Sequence, residues 1–590
     1  MARMRLIPLL VLLYLLILTA TEEMSSQHHG LQLQRLARTR CSQGPYKRKI
    51  SCTRMELTEV PQDLYPEVEE LDLSLNEIRS IFNSSFTRYQ RIKNLNISYS
   101  KLSEIATGSF YAMPMLQYLD LSKNWSLRSI TSQMFNFSIN LSHLILSSTG
   151  LESVPGDILR LLPNLQLLDL SFTDMLSHIN ISSCSSKTRI LNIVFLLSKI
   201  KALVPSRFRI DCEINSLNYK AIKYNSIDPP TIATIRARVL SFPNRRLRPD
   251  LWDQFFRGIG MSHIEELLLH ATKIARIDQH HFALLRNKPL QVLDVSGNHL
   301  PDLTQMGFLD LPLVSTLIID RCRIKNIGPV NFARMKGLRI LHVNHNNIID
   351  INDNIPNLET FVYSDCKKPK WPDQIKQIFN QTKSLKHVII RNAGLNTLWI
   401  TFVKNNISLF GGLRTVISLD VKKNPLKRLE SGILTDLLLL QELDLSDCEL
   451  KGIEVNAFEG LQSLQILHLE GNQLLDLPHG VLWNMAYLRN VSLEGNKLKY
   501  LDRDLFSNSS KLRNLTLARN QLTGLNHSTF EPILNTLFSI DISENEIACT
   551  CNVKWLPLWL SGSITLLNEI DTRCSSASLE ELQEKPLMSF

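Results

Sequence analysis

Along most of this 590-residue chain, apolar and polar positions recur in one spacing, Leu-x-x-Leu-x-Leu-x-x-Asn. In "LQILHLEGNQLLDLP", Leu464–Pro478, the apolar positions are Leu464, Leu467 and Leu469, and Asn472 closes the pattern. The same arrangement ends on Asn496 in "LRNVSLEGNKLKYL" and on Asn520 in "LRNLTLARNQLTGL", a step of 24 residues each time. A fixed period in the twenties marks a stacked repeat, in which each unit buries its apolar face only against its neighbours. The alternation Leu467, His468, Leu469 predicts a short strand with both leucines inward and His468 outward. Strands one repeat apart then run parallel, about 4.8 Å from each other.

From "VEELDLSLN" onward the closing position falls on Asn76, Ser100, Asn124, Thr149, Thr173, Ser198, Ile222, Arg245, Thr272 and Asn298. It continues through Cys322, Asn346, Cys366, Ala393, Asn424, Cys448, Asn472, Asn496, Asn520 and Asn545, twenty repeats in all. Where the chain turns inward after each strand, backbone N–H and C=O groups are buried without partners. An asparagine side chain carries both a donor and an acceptor, so stacked asparagines form a ladder that Thr, Ser and Cys replace less well. Residues such as Phe458 and Leu461 close the outer side of the core. The fold read from this pattern is an α/β solenoid, a leucine-rich-repeat horseshoe with a parallel concave sheet and about 20 repeats.

The ladder is uneven. Asparagine is absent from Thr149 through Thr272, and beyond Asn346 the steps become 20, 27 and 31 residues. This divides the array into regular repeats over 68–148, irregular central repeats over 149–424, and regular repeats over 425–548.

The ends differ from the array. "MARMRLIPLLVLLYLLILTA" places Arg3 and Arg5 before an apolar run from Leu6 to Leu18, which reads as a secretory signal peptide over 1–20. No later segment holds 18 apolar residues without a charge. In an oxidising compartment the ten cysteines are read first as disulfides. Cys41 and Cys52 bracket the segment before the first repeat, giving a disulfide-bonded front cap over 41–67. Cys184 and Cys212 occupy the outer parts of adjacent repeats and can bridge. "CTCNVKWLPLWL" opens a back cap over 549–590 in which Cys549 and Cys574 are the expected pair and Cys551 is left over. That odd cysteine suggests a chain cut within its cap. Cys322, Cys366 and Cys448 stand at ladder positions and are expected as free, buried thiols, because Cys322 and Cys366 lie two strand spacings apart, too far for a disulfide. Glycosylation sequons occur at Asn83, Asn96, Asn136, Asn140, Asn180, Asn380, Asn406, Asn490, Asn508, Asn514 and Asn526. Asn124 also begins a sequon, but a buried ladder asparagine cannot carry a glycan.

Composition excludes several function classes. Hydrophobic content is 44% and net charge +9, with the basic runs Arg245–Arg248 and Cys366–Lys370 short and separated, so a dedicated nucleic-acid binder is not indicated. No G-x-S-x-G, H-E-x-x-H or glycine-rich phosphate loop is present, so neither an enzyme nor a cofactor is expected. "HVNH", His342–His345, offers only two metal ligands and reads as two solvated histidines; no metal site is expected.

Signal peptide, two-cysteine front cap, twenty repeats with a degraded central ladder, and "CTCNVKWLPLWL" together resemble the ectodomain of a Toll-like receptor. The loss of central asparagines is similar to members that recognise lipopeptide or lipopolysaccharide rather than nucleic acid. The resemblance implies an innate immune receptor at the extracellular face of the plasma membrane. It would bind a microbial ligand, pair with itself or another Toll-like receptor, and recruit TIR adaptors through a cytoplasmic part outside this sequence. A secreted or matrix leucine-rich-repeat protein, or a soluble decoy receptor, is the competing reading.

The residue between the inward leucines faces the concave surface. In the middle of the chain this position is mostly apolar, with Leu268, Ile318, His342, Val362 and Ile389 as candidate ligand contacts. Asn96, Asn490 and Asn514 would place glycans towards both ends of that surface and leave the middle open. The lipopeptide-binding relatives open their pocket on the convex side; the equivalent segment here is Arg323–Met335, with Pro329 and Val330 as candidates and Phe332 as core.

Overall fold

The computed structural model describes residues 41–43, 48–184, 191–198, 202–204, 207–221, 226–242, 249–272, 279–301, 303, 310–327, 332–348, 350–351, 355–366, 372–402, 405–483, 485–549, 553, 555–560, 565–568, 573 and 576–577. The signal peptide, Cys551, Cys574, Pro329 and Val330 lie outside them. Many repeats contribute a three-residue strand whose middle residue is buried and whose flanking residues are partly open, as in Ile466–His468. The inward side chains are those named by the spacing: Leu467 and Leu469 are buried, whereas His468 is half-exposed. The chain divides into two units, Met1–Leu268 and Leu269–Phe590.

In the first unit, Cys41 and Cys52 are disulfide-bonded, and Ser42–Gln43 pairs antiparallel with Lys49–Ser51. From Lys49–Ser51 the sheet is parallel through Glu70–Asp72, Asn94–Asn96, Tyr118–Asp120, His143–Ile145 and Leu167–Asp169. It continues through Asn192–Ser198, Glu213–Ala221, Arg236–Ser241 and Glu266–Leu268. The longer strands fall where the ladder residue would be Ser198, Ile222 and Arg245. Without an asparagine to turn around, the chain stays extended and satisfies its backbone in the sheet instead. Cys184 and Cys212 are disulfide-bonded on the outer side. Helix Pro249–Met261 packs its apolar face inward through Leu251, Trp252, Phe255, Phe256 and Ile259.

The second unit is parallel from Val292–Asp294 through Thr316–Ile318, Ile340–His342, Thr360–Val362, His387–Ile389 and Ser418–Asp420. Five further strands follow, ending with Ser539–Asp541, and Thr565–Leu566 pairs beyond it. Each of the twenty repeats read from the sequence therefore carries a strand. The irregular steps are absorbed away from the sheet. The 27-residue step holds helix Pro372–Gln381, and the 31-residue step holds the antiparallel hairpin Trp399–Phe402 with Asn405–Ser408.

The ladder works as the side-chain chemistry requires. Asn472 Nδ2 donates to the carbonyls of Leu445 and Leu469, both at 2.9 Å, while its Oδ1 accepts from Cys448 N at 2.9 Å and Leu450 N at 3.0 Å. One side chain thus ties two repeats. Thr149 and Thr173 donate only to carbonyls of their own turns, Leu146 and Leu170. Cys448 Sγ lies 3.3 Å from Val421 O, a weaker donor to the same class of carbonyl. The three ladder cysteines are free and buried.

Candidate ligand-binding site

Four neighbouring strands of the second unit build the site. Register places Ile318 beside His342, His342 beside Val362, and Val362 beside Ile389, with Asp294 and Asp420 closing the row at its ends. Ile318, His342 and Ile389 are partly open, but Val362 is only 8% exposed. The sequence reading treated Val362 as open; in the fold it is buried in its place between His342 and Ile389. Leu268 belongs to the first unit, where it pairs with Ser241 and is partly open.

Beyond this row the chain turns, and the turn aims further side chains at the same place. The residue just before each ladder position adopts a left-handed conformation, with φ +53° at Arg321, +55° at His345, +58° at Asp365 and +46° at Asn392. These four residues form a continuous polar chain. Arg321 Nη2 lies 3.4 Å from His345 Nε2, which lies 3.3 Å from Asp365 Oδ2, and Asn392 Nδ2 donates to Asp365 Oδ1 at 2.7 Å. His345 is exposed, as the reading of "HVNH" has it, and its Nε2 can either accept from Arg321 or, when it carries a proton, donate to Asp365. One position earlier, Asn344 donates to Asp320 through its backbone N–H at 2.7 Å and its side chain at 3.0 Å. Arg391 is ion-paired with Asp420, and that hydrogen bond holds the guanidinium pKa above its ordinary value.

Together these residues line a cleft of about 430 Å³, bounded by His270, Ser296, Asp320, Arg321, His342, Asn344, His345, Val362, Ser364, Asp365, Ile389 and Arg391. Its volume falls in the range of small-ligand sites. The apolar strand row supplies a narrow floor; the rim carries both signs of charge, largely paired within the protein. Such a surface suits a ligand with a short apolar part and a polar group able to exchange into those pairs. It offers no cluster of uncompensated cations for a polyphosphate backbone.

The left-handed rim row escaped the sequence reading because its residue types vary from repeat to repeat. A signal was nevertheless present: Gly297, Gly471 and Gly495 precede ladder asparagines, with φ between +65° and +69°. Glycine recurring at one repeat position marks a left-handed backbone there. On the convex side, Phe332 is buried in the short helix Phe332–Arg334, in keeping with a core role.

The leucine rich repeat family model matches residues 66–125, 414–474 and 439–498. Human Toll-like receptor 3 is 23% identical over 296 residues, covering 48% of this chain and 27% of that protein. Mouse Podocan is 24% identical over 376 residues, covering 62% of this chain and 58% of that protein. The chain spans between 16% and 63% of the length of the first curated relatives it matches. Among solved structures, a chain of the mouse RP105/MD-1 complex superposes with a TM-score of 0.58 at 18% identity, covering 93% of this chain and 99% of that one. Fold and repeat matches define the class: this is a leucine-rich-repeat solenoid protein. Its repeats are similar in sequence both to those of Toll-like receptors and to those of Podocan. No helix among the described residues is long and apolar enough to cross a membrane.

Proposed function

We propose that this chain is the extracellular ligand-binding part of an innate immune pattern-recognition receptor. It binds a microbial product at the cleft of the second unit, with a lipid-bearing product such as a lipopeptide favoured over nucleic acid. The carrying observation is the register-aligned row Ile318–His342–Val362–Ile389 beside the polar chain Arg321–His345–Asp365–Asn392. An apolar floor against a rim of balanced charge supports an amphiphilic ligand and disfavours a polyanion. Ligand binding draws two ectodomains together, as a homodimer or with another Toll-like receptor, and TIR adaptors act through a cytoplasmic part. The glycan sites, the back-cap bridge Cys549–Cys574 and the segment boundaries at 149 and 424 belong to the same reading.

The test is direct binding of the glycosylated ectodomain to a panel of synthetic lipopeptides, lipopolysaccharide and single-stranded RNA. Ile389→Asp should weaken lipopeptide binding at least about tenfold, since it buries a charge against apolar ligand. Equal binding by parent and variant would remove the cleft from the mechanism, and selective RNA binding would overturn the ligand class. Similarity to Podocan supports the second reading, a secreted or matrix leucine-rich-repeat protein that binds other proteins. Sequencing the transcript past the codon for Phe590 separates the two, because only the receptor reading requires a membrane span and a TIR domain.

A further inference from the structure

Two sequons in the first unit, Asn136-Phe137-Ser138 and Asn140-Leu141-Ser142, are interleaved with an exposed apolar shelf. Phe137 is 56% exposed and Ile139, between the sequons, 54%. The Phe137 ring meets Tyr111 of the preceding repeat edge to face, with centroids 4.7 Å apart. Tyr111 is held in turn by its hydroxyl, which donates to Gln133 O at 3.3 Å. Two aromatic rings packed together and exposed among the described residues form a patch that ordinarily marks a contact.

The acceptor asparagines adjoin these residues along the chain, Asn136 next to Phe137 and Asn140 next to Ile139. Asn136 is exposed, and among the described residues its carboxamide makes no hydrogen bond. Asn140 is also exposed; its Nδ2 donates to Pro114 O at 2.9 Å, which occupies one of two N–H groups and leaves the other for substitution. Asn124 is the opposite case: it is fully buried, and its Nδ2 donates to Ile97 O and Leu121 O, both at 2.9 Å. We propose that N-glycans on Asn136 and Asn140 seat their first N-acetylhexosamine on the Tyr111–Phe137–Ile139 shelf, so that the sugar's apolar face covers this patch. The inference rests on the secretory reading above.

In forming each linkage, Asn Nδ2 bonds to C1 of the sugar and loses one proton. The C1–oxygen bond to a polyprenyl-diphosphate oligosaccharide donor breaks, and the diphosphate leaves with the bonding pair. Ser138, the hydroxyl residue of the first sequon, is fully buried, so that sequon is accessible to the transferase only before the repeat folds.

The test uses the full chain expressed in a glycosylating secretory host. Glycopeptide mass spectrometry should find both sites occupied and Asn124 bare. Trimming to a single sugar with an endoglycosidase should leave the melting temperature unchanged, while complete removal with an amidase should lower it by roughly 1–3 °C. Asn136→Asp and Asn140→Asp control for the charge that the amidase leaves. In Phe137→Ala, which keeps the sequon and alters an exposed residue, the last sugar should make no difference. Empty Asn136 and Asn140 beside an occupied Asn180 would overturn the shelf and leave the secretory reading standing. The same loss in Phe137→Ala as in the parent would also overturn it. A chain bare at every sequon would overturn both.

Discussion

Replacing Asn472 with alanine should open the turn it spans without disturbing the rest of the sheet. The side chain is buried, and four backbone groups are hydrogen-bonded to it at 2.9–3.0 Å. One of them, Leu469 O, keeps a second donor, Asn496 Nδ2 at 2.9 Å. The other three, the N–H groups of Cys448 and Leu450 and the carbonyl of Leu445, lose the hydrogen bond that the asparagine supplies. At about 1–3 kcal/mol for each unsatisfied buried group, with water recovering some of it, the expected loss is about 4 kcal/mol. Because repeats unfold locally, native-state hydrogen exchange is the appropriate assay. At 1.4 kcal/mol per decade, amides of Cys448 and Leu450 should exchange roughly a thousandfold faster. Asn472→Thr should recover little, since a threonine such as Thr149 reaches only the carbonyl of its own turn, which here is already paired. Ser509→Ala is the control, a buried hydroxyl with no hydrogen-bond partner among the described residues, and should change stability by less than about 0.5 kcal/mol. Exchange within tenfold of the parent, or full rescue by threonine, would refute the ladder as the device that holds the turns.

Three further outcomes follow from the same structure. Gly460 has φ +93°, and a Cβ there would lie 2.4 Å from Thr435 O, so Gly460→Ala should destabilise by more than about 1 kcal/mol, read as a lowered denaturant midpoint. Burial pushes the Cys322 and Cys448 thiols up to about 12, so at pH 8 roughly one in ten thousand is a thiolate. A thiol reagent should leave both unlabelled until denaturant is added; labelling in the native state would contradict their burial. The Glu470 carboxylate, 3.3 Å from His468 Nδ1, raises the His468 pKa above its ordinary value of 6.5. That contribution to stability is fully present below about pH 6.5 and fades as pH rises through the elevated folded value. Glu470→Gln should shift the His468 titration, followed by NMR, back towards 6.5.

Most of the architecture was legible because a repeat must satisfy the same two demands twenty times. It must bury its inward leucines and pair the backbone of its turn. Leu467, His468, Leu469 and Asn472 state both demands within six residues, and every repeat aligned on them carries its strand. Less regular segments were harder to read. Nothing in the spacing from Cys366 to Asn424 distinguishes a helix or a hairpin from loop, because these elements pack on the outer side, where the repeat places no demand on residue type. Arg321, His345, Asp365 and Asn392 share no chemistry that would align them by eye; only the glycines at the same position elsewhere disclose its left-handed backbone.

The sequence by itself determined that the chain is a stacked parallel solenoid, which residues face inward, and that apolar residues gather at the concave position near its middle. Those properties are periodic, and periodicity is set by local backbone geometry. Only the tertiary structure decided that Val362 is buried while its neighbours are partly open, and that His345 lies within reach of both Arg321 and Asp365. It likewise showed Phe137 leaning on a tyrosine one repeat away. Each of these depends on how side chains of unequal length meet across a strand spacing, a relation between residues 20 to 27 positions apart that no single stretch of sequence contains.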